Sequence, residues 1–201
     1  MFGAWRVDHD YSYLDHLDID ALRYLVVGAI EKATGRLLQK RTWKGHRYAC
    51  VMTHDVDSLK GLRRASTLKG LEEHYDIQSA WFLLTERYEL DSELILKLAC
   101  DGEVGVHDTR HDGKLMHLSP VKIAERLNRA KRTLERIVRQ GVSGFRAPLL
   151  QHNERIIRAL REVGYTYDAS IPTWEPKHPS TMGPHGIGTV FPINISGIME
   201  I

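Results

Sequence analysis

The chain has 201 residues, of which 42% are hydrophobic and 27% charged, and 28 Lys and Arg against 26 Asp and Glu leave a net charge of +2. This length suits one globular domain, or one domain with a short appendage, and the near-neutral charge disfavours a general polyanion binder. Two cysteines exclude a disulfide framework or a cysteine-rich zinc module, whereas 11 histidines point toward metal or acid–base chemistry.

Hydrophobic periodicity predicts the elements in chain order, beginning with an amphipathic helix over residues 18–33 and a polar connection after it. From there strands and helices alternate. Strands are predicted at residues 48–53, 79–85, 103–106, 142–145, 165–169 and 188–195. Helices are predicted at residues 59–74, 92–100, 120–140 (ended by Gly141) and 153–163. This alternation predicts an α/β fold with a parallel sheet, open or closed into a barrel.

Polar groups follow four of the predicted strands at the point where each strand ends. They are residues 54–57, 107–111, 146–148 and 168–170. In parallel α/β sheets the carboxyl ends of the strands lie at one edge, and the chemistry collects in the loops that begin there. We therefore expect these groups to form one functional site.

Asp55 and Asp57 are two positions apart at the end of the first predicted strand. In an extended segment both carboxylates face the same side, about 7 Å apart, and repel each other. A divalent cation bound by one of them, with the other free as a base, resolves this repulsion. The alternative interpretation is that Asp55, Asp57 or Ser58 caps the helix that begins near Leu59.

His107 and His111 have the spacing of two metal ligands on one helix face, but Asp112 and Gly113 follow at once and favour a loop. Two imidazoles and the carboxylate of Asp57 make a three-ligand zinc site with an open position for water. The alternative interpretation is a pair of exposed loop histidines.

Two further strand-end groups have a functional and a structural interpretation each. Arg146 can orient a carboxylate through paired hydrogen bonds, or it can be a surface residue before a turn proline. Residues 168–174 can line a groove wall with Trp174 as a face for sugar stacking. Alternatively, Asp168 is a turn residue and Trp174 belongs to the core.

The helix predicted over residues 120–140 is rich in Lys and Arg, including Arg126 and Arg129. Acidic residues interleave with these, so we interpret them as a solvated face. No aromatic residues interleave to form a stacking platform, and nucleic acid is therefore not expected as a partner.

Taken together and in this order, the strand-end groups resemble the motifs of the polysaccharide deacetylase family, the NodB-homology domain of carbohydrate esterase family 4. Residues 53–57 (Thr-His-Asp-Val-Asp) resemble the first motif, usually Thr-Phe-Asp-Asp-Gly, and residues 107–111 resemble the second, His-Ser/Thr-x-x-His. Residues 146–148 and 168–174 resemble the third and fourth. The resemblance covers about residues 46–201.

The resemblance implies a distorted (β/α) barrel and a hydrolase that removes N- or O-linked acetyl groups from a carbohydrate. It implies that Asp55 is the general base, that Arg146 orients Asp55, and that Asp168 of the fourth motif is catalytic. In this scheme a metal ion lowers the pKa of its bound water and polarises the acyl carbonyl, while Asp55 takes the proton as the water attacks.

The resemblance also implies a cofactor and a substrate groove. The cofactor is a divalent metal ion, with zinc the expected one, and its ligands are Asp57, His107 and His111. Pro148 and Trp174 would contact the substrate, an acetylated carbohydrate.

The sequence departs from the family pattern in two places. The usual adjacent Asp-Asp is here Asp55-Val56-Asp57, and no late motif supplies the histidine that protonates the leaving group; His178 and His185 stand elsewhere, soon after the fourth motif. A second hypothesis is therefore a carbohydrate-binding relative that has lost catalysis. A third is another metal hydrolase, such as an all-helical HD-type phosphohydrolase, suggested by three His-Asp doublets.

The predicted organisation is a helical N-terminal segment over residues 1–45 and a deacetylase-like domain over residues 46–201. The domain would be incomplete at its C-terminus, because a (β/α) barrel commonly takes about 200 residues or more. The longest apolar run near the start, residues 25–30, is too short to span a bilayer, and no secretory signal is visible. These features predict a soluble cytoplasmic protein, or an extracytoplasmic one if the natural chain starts earlier, with no membrane partner.

Overall fold

The computed structural model describes residues 18–36, 45–46, 48–175 and 186–201. These residues fall into two compact units. One comprises the described residues up to Val51 and those between Pro172 and Pro192; the other comprises Met52–Ile171 and Ile193–Ile201. The second unit holds all the catalytic and metal-binding candidates of the sequence, whereas Trp174 belongs to the first. The domain boundary near residue 46 stays a prediction.

A seven-stranded sheet forms the centre of the second unit. Its strands are β1 (Met52–Val56), β2 (Ser79–Leu83), β3 (Glu103–Val106), β4 (Gly144–Phe145), β5 (Tyr167–Asp168), β6 (Ile193–Ile195) and β7 (Ile198–Glu200). The spatial order is β1-β2-β3-β4-β5-β7-β6, and all neighbours are parallel except β6 and β7. The predicted α/β fold is confirmed, and within the described part of the chain the sheet is open, as in an incomplete barrel.

Helices connect the successive parallel strands of this sheet. After α1 (Asp18–Thr34) of the first unit, they are α2 (Leu59–His74), α3 (Ser92–Ala99), α4 (Pro120–Val138) and α5 (Glu154–Val163). Three of them begin at a side chain that accepts a backbone hydrogen bond, namely Ser58, Asp91 and Asn153. Gly164 ends α5 in the left-handed conformation, with φ of 84°.

The two faces of the sheet have different surroundings. On one face His54 stacks on Trp81 and bonds to Glu72 of α2, so this face packs against the helices. On the other face Phe82 contacts Tyr167, and the guanidinium of Arg146 lies over its ring. Because strand residues alternate between faces, Asp55 shares the second face with Phe82.

The first strand lies later than the sequence predicts. It spans Met52–Val56 rather than residues 48–53, so His54 and Asp55 lie inside it instead of after it. Residues 48–51 are exposed and precede the paired segment. Polar residues are accommodated in this strand because each has a partner: Glu72 bonds to His54, and Arg146 bonds to Asp55.

Two later boundaries also differ. Helix α4 ends at Val138, because Arg139 adopts a left-handed conformation with φ of 57°, so Gly141 is not its terminator. Of the last predicted strand, residues 188–195, only residues 193–195 form a strand, β6; a further short strand, β7, pairs with it after a turn at Ser196 and Gly197, both at positive φ. This two-residue turn lacks the Asn-Gly or Asp-Gly sequence that predicts such hairpins.

In the first unit, α1 ends at Gly35, which has a φ of 65°. Asp20 of α1 accepts hydrogen bonds from Thr189 Oγ1 at 2.8 Å and from the Val190 amide at 2.9 Å. No helix in the described ranges is both long and apolar enough to cross a bilayer.

Candidate metal centre

The carboxyl ends of β1, β3 and β4 bring three sequence-distant groups to one edge of the sheet. Asp57 directly follows β1, His107 directly follows β3, and Arg146 directly follows β4. One carboxylate oxygen of Asp57 lies 3.3 Å from Nε2 of His107. The strand-end residues that the sequence grouped therefore do meet in space.

Asp57, His107 and His111 form a cluster whose ligand atoms all lie within 4.8 Å of one another. The rings of His107 and His111 have their centroids 6.0 Å apart, and the segment between them is a loop, as its sequence predicts. His107 is buried, whereas Asp57 is more than half exposed. The cluster is thus anchored inside the protein and open to solvent on one side.

The ring of His107 is hydrogen-bonded to the backbone of Arg146, the residue that directly follows β4. Its Nδ1 lies 2.7 Å from the carbonyl oxygen of Arg146. A carbonyl oxygen can only accept, so Nδ1 carries a proton, and Nε2 is the ring nitrogen that faces Asp57. A hydrogen bond from the second ring nitrogen to a backbone carbonyl is the kind that orients metal-ligating histidines in proteins.

This donor set fits a divalent ion. Two imidazole nitrogens and one carboxylate oxygen are the protein ligands of many catalytic zinc sites. Ligand atoms about 2.1 Å from a tetrahedral ion lie about 3.4 Å from each other, and the 3.3 Å between Asp57 and His107 agrees with this.

Asp55 lies in β1 beside a different partner. Its Oδ1 accepts a hydrogen bond from Nη1 of Arg146 at 3.3 Å, and the same nitrogen donates to Oγ1 of Thr53 at 2.8 Å. Nε of Arg146 donates to the carbonyl oxygen of Ala169 at 3.0 Å. The guanidinium therefore has three hydrogen-bond partners, one of which is the Asp55 carboxylate; that it orients this carboxylate stays a prediction.

Of the three residues that the alternative interpretation offers as the cap of α2, Ser58 is the one that caps it. Ser58 Oγ accepts the hydrogen bond from the Gly61 amide at the start of α2, at 3.1 Å. The capping position is thus occupied, and neither Asp55 nor Asp57 fills it.

Two further candidates from the sequence, Asp168 and Pro148, are buried. Asp168 is completely buried, and its carboxylate accepts a hydrogen bond from Ser170. Burial raises the pKa of Asp168 to about 7, while that hydrogen bond opposes the shift. Pro148 is buried at the start of a short 3-10 turn, in which Leu149 is the exposed side chain.

The buried charged residues that the sequence analysis did not recognise include Arg126 and Glu200. Arg126 of α4 is 8% exposed and bonds to both Asp108 and Asp112, so the interpretation of its helix as a solvated face is wrong at this position. Glu200 of β7 is completely buried and is the register partner of Asp168. Asp108 and Asp112, which directly follow His107 and His111, are the sequence signal that could have indicated a buried cation such as Arg126.

The fold and the site are those of an α/β protein with a candidate metal centre at the carboxyl edge of its sheet. Residues 50–167 match the family model described as polysaccharide deacetylase. Because this match covers more than half of the chain, the protein belongs to the polysaccharide deacetylase family. Its α/β sheet excludes the all-helical HD-type alternative.

Solved structures of low sequence identity share the fold. A CE4 family pseudoenzyme from Bacillus anthracis is 17% identical, with a TM-score of 0.54 over 63% of this chain and 43% of that one. A family 4 carbohydrate esterase from Streptomyces lividans, in complex with acetate, is 15% identical, with a TM-score of 0.52 over 63% of this chain and 62% of that one. The Streptococcus pyogenes deacetylase PplD, also in complex with acetate, is 10% identical, with a TM-score of 0.53 over 78% and 69%.

The chain thus spans less than half the length of the Bacillus anthracis pseudoenzyme. A mutant of that pseudoenzyme with restored enzymatic activity gives the same TM-score of 0.54 at 18% identity. No curated protein matches this chain in sequence.

Proposed function

We propose that this protein is a metal-dependent hydrolase that removes an N- or O-linked acetyl group from a carbohydrate. The observation that carries the proposal is the Asp57, His107 and His111 donor set, with the Asp55–Arg146 pair at the same edge of the sheet. Family membership supports an acetylated carbohydrate as the substrate class. Two of the similar structures hold acetate, the product of such a reaction.

In this proposal Asp57, His107 and His111 hold the ion, with zinc the expected one. When bound, such an ion lowers the pKa of a coordinated water and polarises the acyl carbonyl. Nδ1 of His107 stays protonated because it donates to the Arg146 carbonyl, so Nε2 remains available as a ligand.

Asp55 acts as the general base and accepts a proton from the attacking water. Arg146 keeps the Asp55 carboxylate in place during this transfer. The water oxygen bonds to the acyl carbon, and the bond from that carbon to the sugar nitrogen or oxygen breaks, which gives acetate and a free amine or hydroxyl. The leaving group takes up a proton; His178 and His185, the histidines nearest the fourth motif, lie outside the described residues.

The test is acetate release from an acetylated chito-oligosaccharide by the full chain, loaded with zinc and compared with the metal-free protein. We expect Asp55→Asn to keep its zinc and to lose about 100-fold or more of the turnover, because the proton acceptor is removed while the ligands remain. Asp76→Asn, at an exposed turn after α2, is the matched control and should behave as wild type. Wild-type turnover in Asp55→Asn would exclude this residue as the base.

The second candidate function is carbohydrate binding without hydrolysis. It is favoured by the separated Asp55-Val56-Asp57 arrangement, which departs from the adjacent Asp-Asp pair usual in the family. Titration of the zinc-loaded protein with the same oligosaccharide distinguishes the two functions. Saturable binding without any acetate release would support the second candidate and overturn the first.

A further inference from the structure

The loop that carries the two candidate histidine ligands has an unusual backbone. Asp108, directly after His107, adopts the left-handed conformation with φ of 67°. This conformation is unfavourable for residues other than glycine, although Asp and Asn tolerate it best. This left-handed residue lies between the two histidines, whose ring centroids are 6.0 Å apart.

One buried side chain holds that loop. Nε of Arg126 donates to Oδ1 of Asp108 at 2.7 Å, and Nη2 donates to the carbonyl oxygen of Arg110 at 3.0 Å. Nη1 and Nη2 together grip the carboxylate of Asp112, at 3.1 and 2.9 Å. The guanidinium of Arg126 therefore contacts the loop at three points between and just beyond the two histidines.

Both the side chain and the backbone of Asp108 accept further hydrogen bonds. Oδ1 of Asp108 also accepts from the Thr109 amide at 2.6 Å, and the carbonyl oxygen of Asp108 accepts from the Thr85 amide at 3.2 Å. Asp108 is buried and has Arg126 as its cationic partner, so loss of the guanidinium would leave an uncompensated buried charge next to His107.

We propose that Arg126 is a positioning residue for the metal centre: its planar fork fixes the 107–112 loop in the conformation that brings His107 and His111 together at Asp57. This inference rests on the proposed metal-dependent function. Lysine at position 126 would keep the charge but could not bond to Asp108 and Asp112 at once, because the ammonium is a point donor without the fork. Mutation of residues that orient metal ligands commonly lowers metal affinity by about 10- to 100-fold.

The experiment measures zinc affinity of the full chain by competition with a chromophoric chelator, on the wild type and on Arg126→Lys. We expect zinc affinity to fall by about 10- to 100-fold in Arg126→Lys, and the visible absorption of bound Co²⁺ to change with the ligand geometry. Arg132→Lys, an exposed site on the same helix, is the matched control and should bind zinc as the wild type does.

A merely structural role predicts a different pattern: the metal-free Arg126→Lys protein would unfold at lower urea, but its folded fraction would bind zinc and Co²⁺ unchanged. That pattern overturns the inference. If Arg126→Lys does not fold, Asp112→Asn provides the second variant, because Asp112 is partly exposed and its loss leaves the Arg126–Asp108 bond. Weakened zinc binding in Asp112→Asn supports the inference, and unchanged binding refutes it. A wild-type protein that binds no zinc would instead contradict the proposed function itself.

Discussion

His107 is a side chain whose orientation is set before any ion binds. Its Nδ1 donates to a backbone carbonyl oxygen, its amide donates to the Leu83 carbonyl oxygen at 2.8 Å, and the ring is buried. A ligand fixed in this way needs little rearrangement when an ion arrives. Asp57 is the most exposed member of the group, so we expect an ion to approach from its side.

Asp57→Ala and His107→Ala should each abolish stoichiometric zinc, because each removes one of three ligand atoms that lie together. The measurement is bound metal after dialysis, determined by atomic absorption. His74→Ala, an exposed histidine at the end of α2, is the control and should keep its metal. Retention of zinc in both ligand variants would refute the assignment of these ligands.

At the residue scale, the sequence grouped Asp57 with His107 and His111 because strand ends and spacing are visible in it; their role as ligands stays a prediction. Arg126 could not be placed in this way. It sits at the border between the apolar and polar faces of α4, where a charged residue is usually solvated. Its burial depends on which loop the helix packs against, and that contact is tertiary.

At the element scale, a glycine in β3 leaves space for the ring of Phe82 on the neighbouring strand β2. Gly105 is the register partner of Phe82, and a Cβ at position 105 would lie 2.6 Å from two atoms of that ring. Phe82 is completely buried, and the guanidinium of Arg146 lies 4.7 Å above its ring. The lack of a side chain at Gly105 therefore leaves room for the ring on which the Arg146 guanidinium lies.

Gly105→Ala should destabilise the fold by about 1–3 kcal/mol, because the buried ring has to move within a packed core. It should also reduce turnover more than zinc affinity, since the displaced ring underlies Arg146 rather than the ligands. Urea unfolding and the acetate assay measure the two effects. Gly141→Ala is the matched control, because nothing lies within 4 Å of a Cβ there, and equal stabilities of the two variants would contradict the argument.

The elements with strong local signals were predictable. The helix over residues 59–74 and the strand over residues 103–106 have the predicted bounds, and Gly164 ends α5 as expected. The strand that contains His54 and Asp55 was misplaced, because its polar side chains are stabilised by partners distant in sequence. Pairing across the sheet determined its bounds more than its own composition did.

At the scale of the whole molecule, we expect the pH dependence of stability to come from a buried pair of carboxyl groups. Asp168 and Glu200 are register partners on β5 and β7, and Asp168 Oδ2 and Glu200 Oε2 lack a hydrogen-bond partner among the described residues. Burial raises the pKa of Asp168 to about 7. Burial, and then the charge of Asp168, raise the pKa of Glu200 to about 10.

Both shifts are upward, so the protonated forms favour the folded state. Their stabilising contribution is complete below the unfolded pKa values, near 4, and is lost as the pH rises through about 7 for Asp168 and about 10 for Glu200. We therefore expect the free energy of unfolding, measured with urea on metal-free protein, to fall between pH 5 and pH 10.

Glu200→Gln should flatten this fall, because the amide cannot ionise and its oxygen can still accept from the Ile171 amide. Glu162→Gln, an exposed site on α5, is the control and should keep the wild-type pH profile. A profile for Glu200→Gln that is as steep as that of the wild type would show that the pair does not cause the loss.

The parallel α/β architecture was predictable because strands and helices alternate along the chain. The antiparallel return of β6 against β7 was not, since its turn at Ser196 carries no strong local preference. The Asp168–Glu200 pair was equally hidden, because the two residues are 32 positions apart and meet only through the β5–β7 register.

Arg146 serves the site twice, through its carbonyl oxygen to His107 and through its guanidinium to Asp55. Mutation can replace the guanidinium, but every amino acid carries the carbonyl. A substitution of Arg146 would therefore remove the guanidinium that contacts Asp55, the proposed base. The hydrogen bond from His107 Nδ1 to the carbonyl oxygen of residue 146 would remain, and with it the tautomer of His107. Under the proposed function, replacement of Arg146 would therefore give a protein that still binds its ion but has lost catalysis, and the reverse substitution would restore activity.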